Sequence, residues 1–555
     1  MVLCNILGAL GKGRRAILLT SLLISSVAAK AGDQGRKPGN YNDLIDLFRD
    51  LRILEHPGMP GGVPDYTAGT IATSRERLKE YQFRLAAIDT TGWLLEEKVD
   101  YELVRAEMNG LDYFTRVLQP WARDPAYYAL IFAEQSDTPE HEGPLSHAAI
   151  DIWKYSYPLS KEDAGKLAAQ LTIIPPLLDQ ARTNLIGNAL DLWMVGIKNI
   201  RDQAGDLSEL AKKTKDAGAD FAYALNKAKA ATLSFADWLE QQAPLKTGPS
   251  GVGKENYTWC LRHVLLVPLS WEEEVSLLQR ELARAYASLA LERQHNKDLP
   301  PLEAISSPEE YDRHADQSIT KIMTFLKNNE ILPVRAYYEP ALRKHIGSFQ
   351  PEEKRNFFQN IMHREPAVLY THATHWFDLA RMKEEPHPSL IRRGALPFNI
   401  WVSRAEGLAT AAEEIFMHAG LYDDNPRVRE LVWIMLAQRC ARGLASLYAH
   451  ANEITLEQAR EFHVKWTPEG WTGDVGLVGW EQQLYLRLPG YGPSYVTGKY
   501  LVDRLMMDQS RSLRDDFRMI DFFANMYSAG MIPVSLIRWQ MTGMDDELRS
   551  ITESK

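Results

Sequence analysis

Cysteine is nearly absent from this sequence of 555 residues: there are three, and Cys4 precedes an apolar run, so only Cys260 and Cys440 lie in the body of the chain. Two cysteines so far apart cannot make a zinc ribbon. They read as small buried apolar residues, with a disulfide as the alternative in an oxidising compartment. Also missing are a GxSxG elbow, a Walker loop, a dinucleotide fingerprint after a strand and any cysteine motif. GPSGVG, at 248–253, has no strand before it and reads as a linker. Positive charge is in deficit, with 63 Lys and Arg against 73 Asp and Glu giving −10, which excludes a typical nucleic-acid partner. No segment repeats at a fixed period, and no long Pro/Ser/Gly linker divides the chain. Past the first 31 residues nothing resembles a transmembrane helix, so no stable membrane insertion is expected.

The start differs from the rest. Lys12, Arg14 and Arg15 precede an apolar run from Ala16 to Ala29, and Ala29-Lys30-Ala31 is a small-x-small cleavage pattern. Residues 1–31 therefore read as a signal peptide, and the mature chain as periplasmic or secreted. The adjacent arginines leave Sec and twin-arginine export both open. Cleavage removes four basic and no acidic residues, taking the charge to about −14.

From Tyr41 onward apolar residues recur every three or four positions, as in LIDLFRDLRIL and EEEVSLLQRELARAYASLALERQ, the pattern of amphipathic helices. Breaks such as HPGMPGGVPDY, KTGPSGVGKENY and EEPHPSL are turn-like. The fold class expected is mainly α: a large multi-helix protein with a central cleft and at most a small β-sheet. The clearest seam is Lys246–Gly253, dividing an N-terminal helical region, 40–250, from a C-terminal one, 251–549, that carries the chemistry.

That chemistry is sought first in VLYTHATHWFDLAR, Val368–Arg381. Pro366 suits a helix's first turn and nothing interrupts the pattern before Pro386, so one unbroken helix is predicted. It would place His372 and His375 on one face, Trp376 beside them, and Tyr370 about 160° round from His372. Three readings stay open for the pair: metal binding with Glu406, acid–base catalysis with Glu406 orienting or sharing the proton of His375, and packing in a core. In AEGLATAAEE, Glu406 shares an alanine-lined face with Glu413, which points to a partly buried carboxylate suited to proton transfer or to an arginine partner such as Arg442. Glu413 and Glu414 also read as a solvated edge. Arg439 and Arg442, one helical turn apart, suit a carboxylate clamp or surface ion pairs. LYLRLPGYGPSYVTGKY looks the most loop-like stretch of the C-terminal region. There Tyr485 and Tyr495 are candidate donors, while Tyr491 and Tyr500 read as packing residues. Aromatic residues around these positions, if they line a pocket, favour an aromatic or otherwise apolar small substrate over a peptide backbone.

The C-terminal region resembles the bacterial family known as domain of unknown function 885, whose members resemble zinc peptidases of the gluzincin type. The resemblance rests on GKENY (Gly253–Tyr257), AEGLATAAEE (Ala405–Glu414), RCARGLASLYAHANEITLEQA (Arg439–Ala459), LPGYGPSYVTGK (Leu488–Lys499) and AGMIPVSLI (Ala529–Ile537), in the family's order. Placing the second histidine of the family's His-Glu-x-x-Pro-Gly-His motif on His375 puts Glu406 and Gly407 at the start of its Glu-Gly-Trp motif and Glu413 at that motif's closing acid. It also puts Leu369 where the first histidine belongs, Tyr370 at the glutamate and Ala373-Thr374 at Pro-Gly. Arg439, Arg442, His450, Tyr485, Pro489, Gly490, Tyr495 and Gly498 match later motifs, while Ser446 replaces an acid. Leucine binds no metal, and tyrosine is a poor base toward water.

The function expected is therefore an exported lyase without metal or other cofactor, acting by acid–base catalysis on a small molecule of phenolic or other aromatic type in aromatic catabolism, formaldehyde release being one example. His375, Glu406, His372, Tyr370, Tyr485 and Tyr495 would be catalytic, and Arg439, Arg442, His450 and Trp376 would bind substrate. The first alternative is a zinc-dependent peptidase or amidohydrolase with His372, His375 and Glu406 as ligands; the second is an exported protein that binds a ligand without turnover. The partner is a small-molecule substrate, and a homodimer is compatible with the sequence.

Overall fold

In the computed structural model, which describes residues 39–139, 146–473 and 475–553, the chain is mainly helical, with one small sheet in which Ile131–Phe132 pairs in parallel with Ile150–Asp151. The proposed leader lies outside the described residues. Among these, no single helix is long and apolar enough to cross a membrane.

Local chemistry sets many of the helix starts. Asn40, Ser270 and Thr455 each accept from a backbone N–H three residues on, while the residue at that position reaches back to the cap, closing a capping box. Ser307 caps the helix Pro308–Asn328, whose first residue is the proline.

Apolar side chains gather into two main cores. The smaller, formed between residues 66 and 239, includes the long helices Leu190–Lys213 and Ala219–Gln242. The larger unites residues 257–551 with residues 44–113. The first helices thus pack with the C-terminal region, on the far side of the seam read at 246–253. A run of local periodicity carries no label saying which distant core it joins, so this assignment escapes sequence reading. Cys260 and Cys440 are both buried and unpaired, filling space in the larger core.

Two helices of that core are buried nearly all round and carry charged side chains inward with them: Val402–His418, buried without a break from Val402 to Glu413, and Val428–His450. Val402–His418 packs along Tyr491–Leu513 and Val428–His450 along Trp271–His295. Gly407 and Gly498 make the first contact possible. A Cβ built on Gly407 would lie 2.4 Å from the Gly498 Cα, and one on Gly498 would lie 2.2 Å from the Ser403 carbonyl oxygen.

Candidate functional site

The segment carrying the two histidines is not one helix. Pro366–His372 ends at Ala373, where ψ swings to 16°, and Thr374–Glu384 starts afresh. The amide of Trp376 donates to the Ala373 carbonyl, three rather than four residues back, and the Thr374 hydroxyl donates to the His372 carbonyl. Such local bonds let threonine compete with the helix ladder, an effect the apolar period does not register. Across this break the rings of His372 and His375 stand 5.0 Å apart, nearly perpendicular.

Glu406 faces both. Its Oε2 lies 3.2 Å from His375 Nε2 and 3.7 Å from His372 Nε2, yet has no in-line hydrogen bond, while Oε1 accepts from the Tyr491 hydroxyl at 2.6 Å. Glu406 and His375 are almost wholly buried. Burial alone would raise the Glu406 carboxyl, but the charge of His375 and contacts from His375, His372 and Tyr491 outweigh it and hold the group low, at about 2. Burial likewise opposes a charge on His375, and Glu406 overrides it, raising that imidazole to about 9. The pair is therefore an imidazolium and a carboxylate.

His372 is the opposite case. Burial first, then the cations of Arg439 and His375, hold it well below the ordinary histidine range, so its ring is neutral. Arg439 Nη2 stands 3.2 Å from His372 Nδ1. A guanidinium can only donate, so Nδ1 accepts and the ring's own proton sits on Nε2.

Arg439 is itself fixed by Glu413 through two bonds of 2.6 Å, a bidentate clamp. Arg442 pairs with Glu481 and lies over the ring of Tyr495, 4.0 Å from its centroid. Both arginines are buried, so neither makes a surface ion pair, and Arg442 holds Glu481 rather than Glu406. The solvated edge is also overturned: Glu413 is buried, and Glu414 is bound by Arg284 and Lys499.

These groups open onto a cleft of 820 Å³ between the two cores, walled by residues of the Ala126–Asp137 and Val195–Asp206 stretches on one side and by His372, Trp376, Glu406, Arg439, Arg442, Trp480, Tyr485 and Tyr495 on the other. Of the catalytic candidates, His372, Glu406, Tyr485 and Tyr495 line it, and His375 stands behind Glu406. Trp376 lines it and stacks on His345. Tyr370 does not belong to the site: its hydroxyl donates to the Ile346 carbonyl at 2.8 Å, beside Tyr311. Neither does His450 contact the cleft, because its Nε2 bonds the Tyr485 carbonyl at 2.9 Å from behind the wall.

Three residues of the site escape sequence reading. Tyr491 holds Glu406, Glu481 holds Arg442, and the charge of Asp137 is felt at His375 and Glu406 from across the cleft. The stretch around Tyr491 looks loop-like because of its glycines and Pro493, yet Tyr491–Leu513 is a helix. Proline is tolerated in a first turn and Gly490, at φ +88°, supplies the left-handed residue before it.

One ligand atom each from His372, His375 and Glu406 can be chosen so that all three lie within 4.8 Å of one another. The donor types suit zinc. The tautomer does not: a metal at His372 Nε2 needs a lone pair where the Arg439 bond places a proton.

A family model described as a bacterial protein of unknown function (DUF885) matches residues 56–371, more than half of the chain, and ends one residue before His372. Two solved structures are similar to the chain in fold. A "putative lipoprotein of unknown function" from Shewanella oneidensis has a TM-score of 0.67 at 14% identity, covering 90% of this chain and 98% of its own. A "putative lipoprotein" from Colwellia psychrerythraea has a TM-score of 0.62 at 14% identity, covering 93% and 98%. No curated protein sequence matches.

Proposed function

The chain belongs to the DUF885 family of bacterial proteins, and we propose that it is an exported lyase that moves protons without a metal on a small molecule with an aromatic body and a hydroxyl group. The observation that carries this reading is Glu406, a residue of the cleft wall whose Oε2 lies buried just beneath the cleft surface, without an in-line donor, between one charged and one neutral imidazole. Held at about 2, it is a weaker base than an ordinary carboxylate, so the reaction it suits is one that binding in the cleft has already made easy.

In the proposed reaction Glu406 takes the proton of the substrate hydroxyl. The bond from the hydroxyl-bearing carbon to its neighbour breaks, leaving an aldehyde, and the neighbouring carbon receives a proton from the His375–Glu406 pair or from Tyr485 or Tyr495. Formaldehyde leaves when the carbon lost is a hydroxymethyl group. Neutral His372, with its proton on Nε2, is placed to donate a hydrogen bond to the developing oxygen charge. Leu369, Trp376, Trp480 and Tyr495 supply a wall for an aromatic ring. Export rests on the pattern from Lys12 to Ala31 and agrees with the description of both similar structures as putative lipoproteins.

A zinc-dependent peptidase or amidohydrolase is favoured by one contact: His372 Nδ1 also lies 3.0 Å from Glu413 Oε1. A carboxylate in that place can accept a hydrogen bond from an Nδ1–H tautomer and so leave Nε2 free for a metal.

Metal content, turnover of hydroxymethyl-bearing phenolic dimers and the Glu406→Gln variant decide between the readings. Formaldehyde release by chelator-treated protein, lost in Glu406→Gln, is the outcome expected. Stoichiometric zinc whose removal abolishes activity would establish the hydrolase instead, and a dimer retained unchanged would leave a binding protein.

A further inference from the structure

The two sides of the 820 Å³ cleft differ in charge. On the side of Glu406 each arginine of the wall is already held by a carboxylate: Arg439 by Glu413, Arg442 by Glu481 and Arg487 by Asp124. Glu406 in turn is matched by the charge of His375. The opposite side presents Glu134, Asp137, Asp202 and Asp206, and no lysine or arginine. Of these four only Asp202 forms an ion pair among the described residues, with Lys198 at 2.5 Å.

Three carboxylates thus line the cleft without a cation, and each feels another acid. Asp202 and Asp206 are one turn apart on the helix Leu190–Lys213. Burial first, then the charges of Asp202 and Glu134, raise the Asp206 carboxyl, and Lys213 offsets part of this. Asp137 is half-buried as a residue and has no side-chain partner among the described residues. Burial of its carboxyl raises it, as does the charge of Glu406, against the pull of His375. A cleft lined by charge of one sign focuses its field and draws in the opposite charge. The acidic oxygens do not converge as a metal requires: among the described residues, the group whose ligand atoms lie within 4.8 Å of one another is His372, His375 and Glu406. Carboxylates spread along a wall suit an ammonium group on a flexible tail instead.

Space allows such a tail. A cavity of about 150 Å³ takes up benzene, so one ring beside Glu406 leaves most of the cleft free. We propose that the cleft takes an aromatic molecule with a cationic, amine-bearing tail, its ring on the side of Trp376 and Tyr495 and its ammonium group among Glu134, Asp137 and Asp206 opposite. This rests on the reading of the cleft as a site for an aromatic hydroxy compound, and adds the charge of that compound. The tail also fixes direction: with the ammonium group on the acidic side, the ring end is left at Glu406.

The test uses the full chain and three phenols that differ in the charge of the tail: tyramine, 4-ethylphenol and 4-hydroxyphenylacetate. Calorimetry or ligand-observed NMR should show tyramine binding about ten times more tightly than 4-ethylphenol, with 4-hydroxyphenylacetate the weakest. Added salt should narrow the gap, because the acidic wall is open to solvent. The double variant Glu134→Gln/Asp206→Asn should bring tyramine to within about twofold of 4-ethylphenol and leave 4-ethylphenol unchanged, whereas Trp376→Ala should weaken all three. The comparison of the three phenols in the wild type stands even where a variant fails to fold. Equal affinity for tyramine and 4-ethylphenol, or a tyramine preference kept in the double variant, would overturn the cationic tail while leaving the aromatic site in place. Failure of all three to bind would overturn the aromatic reading as well. Stoichiometric calcium, bound by the wild type and lost in the double variant, would make the acidic wall a metal site instead.

Discussion

Gly407 and Gly498 bring two helix backbones into contact: a Cβ on Gly407 would sit 2.4 Å from the Cα of Gly498. The contact is next in sequence to Glu406 and lies within the same helix as Tyr491, the residue that holds it. Gly407→Ala is therefore expected to destabilise the fold by about 1–3 kcal/mol through overpacking of two backbones that cannot yield as a side chain would. Urea unfolding measures it, and activity should fall further than stability because Glu406 moves with its neighbour.

Glu406→Gln keeps the volume and removes the charge. Turnover should drop by about 10²- to 10⁴-fold, the contribution of a positioned acid–base group, with little change in the circular dichroism spectrum. A variant with full activity would remove Glu406 from the mechanism.

The pH dependence follows from His375. Its pKa is raised above the unfolded value by Glu406, to about 9, so the pair's stabilising attraction is fully present below about 6.5 and is lost as pH rises through 9. Activity that depends on the charged pair should decline on that alkaline limb. In Glu406→Gln the main raising influence on the ring is gone and only Asp137 and Asp378 still oppose burial, so the histidine titration should move down from about 9; NMR of labelled histidine follows it directly.

On the acid side, His450 and His463 are buried and neutral, and burial lowers them to about 4 and about 3. Their contribution to stability is complete above the unfolded pKa of about 6.5 and disappears as pH falls through the folded values. Melting temperature should drop between pH 6 and pH 4, and His450→Asn should flatten that slope.

Nitrogen chemical shifts should show His372 with a bare Nδ1 and a protonated Nε2. Arg439→Met would leave Glu413 buried without its partner, at a cost of about 3–5 kcal/mol, whereas Arg439→Lys keeps the charge and loses the fork. A wild-type ring protonated at Nδ1 toward Glu413 would contradict the tautomer assigned and favour zinc.

Much of this was readable from periodicity and residue type. The helical class and the burial of Glu406 on its alanine face follow from spacing that survives folding. The residue types of His372, His375 and Glu406 pointed to their meeting, but it takes place across a helix break and not on one helix face. What was not readable depends on competition or on distance. Ala373 ends a helix because a hydroxyl and a shortened bond win locally. Tyr491 reaches Glu406 across 85 residues of chain, and Glu413 is buried because Arg439 can neutralise it there. Tyr370 could be set on another side of the helix from His372, but the carbonyl of Ile346 that receives its hydroxyl could not be foreseen.

The interruption at Ala373 means that the two imidazoles ride on separate short rods, seven and eleven residues long. The first is seated on Pro308–Asn328 and the second on Tyr338–Arg343. In a continuous rod the spacing of the rings would be fixed by helical pitch. Here it is an angle, and ring spacing responds to any change in how the two supports are tilted.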